Sequence, residues 1–425
     1  MRVWIFQTGE PIHSDQGNPR PMRAMNLAGA LVDSGHRVTL WSSAFYHQEK
    51  RHRAHGFQKI RINDLLEIRL VPSRGYKKNI GSARLIDHAG LAMNLKKILA
   101  SEDELPDVAF VGYPPIEFAY VAVKWLKARG VPVMLDAKDQ WPQVFIEPFP
   151  KFIQPLVRLA FSPYFYLGRK VMREASAFCT MSNSFLEWMC EFSGRAVSEM
   201  DSIAPLSPMR ETLDQRSFVE AIEWWRDRGV VNDNRKRFFF VGNLSQAFDF
   251  EPVIDAARLA KDAGANWQFV ICGDGMKTDQ LRTELSGLSN VVLPGWVDKL
   301  KVAVLANISA VGLAPYRNTQ NFTKNIPNKI IDYLSHGKVI VSPLDGEVTT
   351  LIKRHDVGFV YSENKHNKLF DVLKKLCEDD ANIARISANA HKTYENYFNG
   401  EKVYQELVVK LVKLSKIRLS KNRYA

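Results

Sequence analysis

Lys329, Asp332 and His336 recur at spacings of three and four residues in "NFTKNIPNKIIDYLSHGKVIVSP", residues 321–343, which gathers them on one face of a helix. Ile330, Ile331 and Leu334 fall on another face. Pro327 suits a first helical position, having no N–H where none is needed, and Gly337 suits the end. A lysine beside the free N–H groups of a helix N-terminus is phosphate-binding chemistry, and residues Lys324 to Lys329 cover that terminus. Asp332, one turn on, brings a carboxylate able to accept hydrogen bonds from a diol. Taken alone, the stretch is better read as a solvent-facing Lys–Asp pair worth only ~0.3–0.5 kcal/mol.

Two further stretches repeat the logic. "VICGDGMK" sets Gly273, Asp274 and Gly275 directly after an apolar strand, where missing Cβ atoms let a ligand approach the backbone. It lacks the spacing of a dinucleotide fingerprint, and by itself a tight turn is the favoured reading. "FFFVGNLSQAFDF" places Gly242 and Asn243 at another strand end. Three such ends in one half of the chain shift the balance toward a binding site. In the first half, "TGEPIHSDQGNPRPMRAMNLAGAL" carries Gly17 and Asn18 in a loop that could approach the same ligand, or could be a surface loop only. "LDAKDQWPQ" puts Asp136, Lys138 and Asp139 at a strand end, with a mutual Lys138–Asp139 pair as a comparable reading. His47, His52 and His55 lie among Lys50, Arg51 and Arg53, which reads as a solvated basic loop and not as a metal site.

The elements that must position these residues alternate. "RVWIF", "HRVTLWSS", "DVAFVGY" and "VPVMLDAKD" read as strands separated by helices, and "RFFFVGN" restarts the same rhythm. At 425 residues the chain exceeds what a single core usually supports. The expectation is two Rossmann-like domains, 1–205 and 238–400, facing a central cleft and joined by a linker at 206–237, with 401–425 as a separate C-terminal segment. Cys179, Cys190, Cys272 and Cys377 show no paired spacing and read as reduced core residues. The first residues read as a strand, and the apolar stretch near residue 155 is broken by Pro155, Arg158 and Pro163, so a cytoplasmic location is expected. Net charge is +12, and residues 402–425 hold seven cations against Glu406 alone. Their interleaved Leu, Val and Ile fit the anionic inner leaflet of a membrane, or equally a helix docked on the protein with a basic outer face. No nucleic-acid motif accompanies the charge.

In order along the chain, "DAKDQWPQ", "EASAFCTMSNSF", "FFFVGNLSQ", "FVICGDG", "NVVLPGWVD" and "PNKIIDYLSHGKVIVSP" resemble the retaining family 4 glycosyltransferases of the GT-B fold, nearest to bacterial N-acetylfucosaminyl-type transferases of surface-polysaccharide assembly. The resemblance implies a nucleotide-sugar donor, UDP-linked, a glycan or lipid-linked acceptor, and no metal or other cofactor. It implies that Gly17 and Asn18, with Gly242 and Asn243, face the donor phosphates and that Gly273 and Asp274 lie beside the base or ribose. Asn328 and Lys329 are then the pyrophosphate contacts, Asp332 holds the ribose, and Lys329 and Asp139 are the candidate catalytic residues. Relatives carry two Glu with seven residues between them; here those positions hold Lys324 and Asp332. Asn243 and Leu244 stand where an Arg and a Lys often follow the glycine. A non-catalytic GT-B scaffold and a nucleotide-sugar epimerase are the competing readings.

Overall fold

A computed structural model describes residues 1–16, 20–78, 81–209, 215–362 and 368–422, with the side chains of 418–422 excepted. The chain divides into two compact units, Met1–Leu206 with Glu401–Ala425, and Ser207–Gly400.

In the second unit, strands Lys236–Val241, Trp267–Cys272, Val291–Gly295, Val311–Leu313, Val339–Ser342 and Gly358–Val360 form one parallel sheet. Numbered along the unit, their spatial order is 3-2-1-4-5-6, the doubly wound Rossmann arrangement. Near-continuous apolar runs explain it: Phe238, Phe239, Phe240, Phe269, Val270 and Ile271 are all buried, as strands covered by helices on both faces must be. The order reverses between Lys236–Val241 and Val311–Leu313, so the carboxyl ends of those two strands flank a crevice.

The first unit is built on the same plan. Its parallel strands Arg2–Phe6, Arg37–Ser43, Leu66–Val71, Val108–Tyr113, Val133–Ala137, Ala177–Thr180 and Ser202–Ile203 reverse order between Arg2–Phe6 and Val108–Tyr113, and Gln58–Arg61 adds an antiparallel edge.

Two boundaries differ from the expectation. Residues 206–237 are not a linker: helix Gln215–Arg226 belongs to the second unit, where Trp225 is fully buried and its indole N–H donates to the Lys301 carbonyl at 2.8 Å. An indole of that size stabilises most when buried with its N–H satisfied. The C-terminal segment is not a separate tail. Helix Gly400–Asn422 joins the first unit from Glu401 onward, with Tyr404, Leu407, Leu411 and Leu414 almost wholly buried and Lys413 and Lys416 outside. Asn26 donates from its amide to the Tyr404 hydroxyl at 3.3 Å. Of the two readings of this segment, the docked helix describes it. No described helix is long and apolar enough to cross a membrane.

Candidate functional site

At the reversal point of the second sheet the helix read from sequence forms as Asn328–Ser335, with Pro327 as its N-cap and not its first residue, and Gly337 just past the end at φ +60°. Ile330, Ile331, Tyr333 and Leu334 are buried and hold the helix in place. Tyr333 lies flat on Gly312, where any Cβ would come within 2.5 Å of the ring, and its hydroxyl donates to the Leu313 carbonyl at 2.8 Å. Lys329 points inward. Its ammonium donates to the Val241 carbonyl at the end of the neighbouring strand and sits 3.9 Å from the centre of the Phe240 ring and 5.3 Å from that of Phe248. The side chain is 8% exposed. A cation placed on aromatic faces and a carbonyl, beside a helix N-terminus, makes a concentrated positive field at the crevice.

Gly242 is what allows the ammonium to lie there, since a Cβ on it would stand 2.6 Å from Lys329 Nζ. The glycines after the next strand serve a different purpose from the one read in sequence. A Cβ on Gly273 would meet the Gly242 carbonyl oxygen at 1.8 Å, and one on Gly275 would meet the Asn243 side-chain oxygen at 2.4 Å. Their missing side chains let two strand-end loops pack backbone on backbone. Leu244 N–H donates to the Asp274 carbonyl and Lys277 N–H to the Leu244 carbonyl, at 3.0 and 2.9 Å. Asn243 and Asp274 keep their side chains on the exposed side of this layer, and an Asp274 carboxylate oxygen accepts from Trp296 N–H at 3.1 Å. Asp332 is half-buried, close enough to Tyr316 that its charge, after burial, raises the phenol pKa.

The first unit has its own cavity of about 230 Å³ at the corresponding reversal point. Gln7 to Glu10 follow the first strand there, and Tyr113, Lys138 and Asp139 come from the next two strand ends. Lys138 contacts Glu10 and, at 3.3 Å, Asp136, beside the Asp139 with which sequence allowed it to pair. Burial pulls the Lys138 ammonium down to about 7, and the nearby Cys179 and Asp139 work against that pull. Arg23 and Asp136 form a wholly buried ion pair behind it. On the far wall burial holds His88 at about 3 and His47 at about 4, with Arg84 reinforcing the first and Lys50 the second, so both imidazoles are neutral near pH 7. His47 is therefore part of a pocket wall, while His52 and His55 stack on each other outside it.

The second unit thus brings together Gly242, Asn243, Gly273, Asp274, Asn328, Lys329 and Asp332 around one sheet reversal. Asp139 lies in the cavity of the first unit, and Gly17 and Asn18 lie outside the described residues. Arg84 and His88 escaped the reading because neither stands in a motif, and Glu10 and Tyr333 because nothing local in their motifs marks them. Only the periodic burial of Tyr333 among Ile330, Ile331 and Leu334 left a trace.

Residues 235–379 match the family model described as glycosyl transferases group 1. An amylovoran biosynthesis glycosyltransferase, AmsK, from Erwinia amylovora is 22% identical over 183 residues, 42% of this chain and 45% of that protein, so the alignment spans less than half of that relative. Sucrose-phosphate synthase from Thermosynechococcus elongatus superposes with a TM-score of 0.68 at 12% identity, over 96% of this chain and 97% of that one. Anabaena HepE, solved in complex with UDP and glucose, superposes at 0.65 and 14% identity, over 97% and 100%. The chain has the GT-B fold, and the stretch that matches the group 1 glycosyl transferases model lies in its second unit.

Proposed function

We propose that this glycosyltransferase of the GT-B type moves a sugar from a UDP-linked donor to a glycan or lipid-linked acceptor, with retention of anomeric configuration, in surface-polysaccharide assembly at the inner leaflet of the membrane. The observation that carries the reading is the Lys329 ammonium, seated under Gly242 beside the N-terminus of helix Asn328–Ser335. The diphosphate of the donor lies against this field, with Asn328 and the N–H groups of the first turn as hydrogen-bond donors. Asp332 accepts from the ribose hydroxyls one turn further on, and Asp274 and Asn243 flank the nucleoside.

As the glycosidic bond to the diphosphate breaks, negative charge grows on the leaving phosphate, and Lys329 and the helix N-terminus stabilise it more than the ground state. A metal ion is then not required. In a retaining transfer on one face of the sugar, the leaving phosphate takes the proton of the attacking acceptor hydroxyl, so no side-chain base is needed. Asp139 acts on the acceptor side, in the cavity it shares with Lys138. The amylovoran relative and the polysaccharide-type motifs support the acceptor class.

Release of free UDP from a panel of UDP-sugars, with and without glycan acceptors, tests the proposal. Acceptor-dependent release supports it. Interconversion of donor sugars with no acceptor supports an epimerase instead, and failure of every nucleotide diphosphate to bind in calorimetry at millimolar concentration refutes the enzyme reading.

A further inference from the structure

Between Pro148 and Arg173 the sequence contains Lys151, Arg158, Arg169, Lys170 and Arg173 and no Asp or Glu. The structure folds this segment into helices Gln154–Ala160 and Ser162–Glu174 of the first unit. Its inner side is fixed. Phe165, Val171 and Met172 are buried, Phe145 stacks on Phe161 at 5.1 Å, and Gly168 lets the helix close onto the Tyr113 hydroxyl, which a Cβ would approach to 2.7 Å.

Its outer side is the reverse of what a solvated surface needs. Phe152 is 81% exposed, Leu159 71%, Leu156 69% and Tyr166 67%, with Phe149 beside them at 43%. Phe152, Leu156 and Leu159 follow at spacings of four and three, and Tyr166, Arg169, Lys170 and Arg173 continue at three, four and seven. Single exposed apolar residues need no explanation, but five within 18 residues form a patch. Arg158, Tyr166, Arg169, Lys170, Arg173 and Glu174 line a groove of about 490 Å³ at its border.

We infer that this face of the first unit, and not the C-terminal helix, is the surface that seats the protein on an anionic lipid bilayer. Protruding Phe and Leu enter the interface to the depth of the headgroup and acyl boundary, and the cations around them meet lipid phosphates. Four cations, Arg158, Arg169, Lys170 and Arg173, against Glu174 in the groove lining are the complementarity that selects an anionic surface over a neutral one. The C-terminal helix folds Leu407, Leu411 and Leu414 into the first unit and leaves Val409 and Ile417, two separated side chains, as its exposed large apolar residues among those described. The inference deepens, and rests on, the inner-leaflet reading above.

The test is flotation of the full chain with vesicles of phosphatidylcholine alone or mixed with phosphatidylglycerol. Wild type should float with the mixed vesicles only. Phe152→Asp with Leu156→Asp and Leu159→Asp should lower binding roughly a thousandfold or more, since each side chain forfeits a factor of at least about ten. Arg169→Gln with Lys170→Gln should lower it about fivefold per cation at low salt. Lys413→Gln with Lys416→Gln in the C-terminal helix should lower it far less. Because the altered positions are exposed, apart from the half-buried Lys170, unchanged melting is expected and is checked in the same preparations. Wild type that stays with the soluble fraction, equal binding to neutral vesicles, or a triple variant that floats like wild type would each overturn the inference. So would concentration-dependent dimerisation, without flotation, that the triple variant abolishes, because the patch is then a contact between copies. Flotation needs neither donor nor acceptor and UDP release needs no vesicle, so failure of the surface and failure of the transferase reading are separable.

Discussion

Replacing Lys329 by Met removes one charge and keeps most of the volume, so it separates the two tasks that the geometry gives this side chain. In the fold, the ammonium loses a charge-assisted hydrogen bond to the Val241 carbonyl, roughly 1.5–3 kcal/mol, and its position over Phe240 and Phe248, about 1–2 kcal/mol. Against this, the ammonium of a residue only 8% exposed no longer has to be desolvated, which is worth several kcal/mol in the opposite direction. The thioether can rest on the same two rings. These terms offset one another to within about 2 kcal/mol, so the melting temperature should move little and in either direction. In the reaction nothing offsets the loss, because the charge that Lys329 meets appears only as the diphosphate leaves. A loss of roughly 100-fold in kcat, about 2.7 kcal/mol, is expected, with a smaller rise in donor KM. The assay is steady-state UDP release over a range of donor concentrations, run beside urea unfolding of the same preparation. Wild-type kcat in a stably folded Lys329→Met protein would refute the reasoning and leave Lys329 as a structural anchor for the Val241 carbonyl. An equal loss in kcat and in folded fraction would point the same way.

Three further outcomes follow from the packing. Gly273→Ala sets a Cβ against the Gly242 carbonyl oxygen at φ +132°, so it should cost roughly 3 kcal/mol in urea unfolding, whereas Gly264→Ala at φ +63°, with nothing within 4 Å, should cost about 1 kcal/mol; equal costs would show that the two strand-end loops move apart freely. Leu407→Ala, at a position with no exposed surface, should destabilise the first unit by about 2–5 kcal/mol, and a change below ~0.5 kcal/mol would mean that the C-terminal helix does not pack as described. Burial holds His88 at about 3 against an ordinary 6.5, so between those values the unfolded chain binds a proton that the folded one does not. The stabilisation is full above pH 6.5 and shrinks as the pH falls, by about 2 kcal/mol at pH 5, and His88→Gln should flatten that slope; parallel curves for the two proteins would contradict the buried neutral imidazole.

The alternation of apolar strands with amphipathic helices determined both sheets, because a parallel strand covered on its two faces must be apolar throughout, as "RVWIF" and "RFFFV" are. The helix carrying Lys329 was legible for a local reason: capping, the period of Ile330, Ile331 and Leu334, and the position of Pro327 are settled within about ten residues. Which way Lys329 points was not local. It depends on the Val241 carbonyl, 88 residues earlier, and on Gly242 leaving room for the ammonium. The glycines show the same division. Sequence marked Gly273 and Gly275 as places where something comes close, and only the tertiary structure decided that the neighbour is the 242–244 backbone. Periodicity reports that a face is apolar and says nothing about what covers it. The C-terminal helix and the segment from Pro148 to Arg173 both read as apolar residues among cations, yet the first folds its leucines into the core and the second leaves Phe152, Leu156 and Leu159 in water. That difference is set by the partner surface each helix meets, which no stretch of either sequence contains.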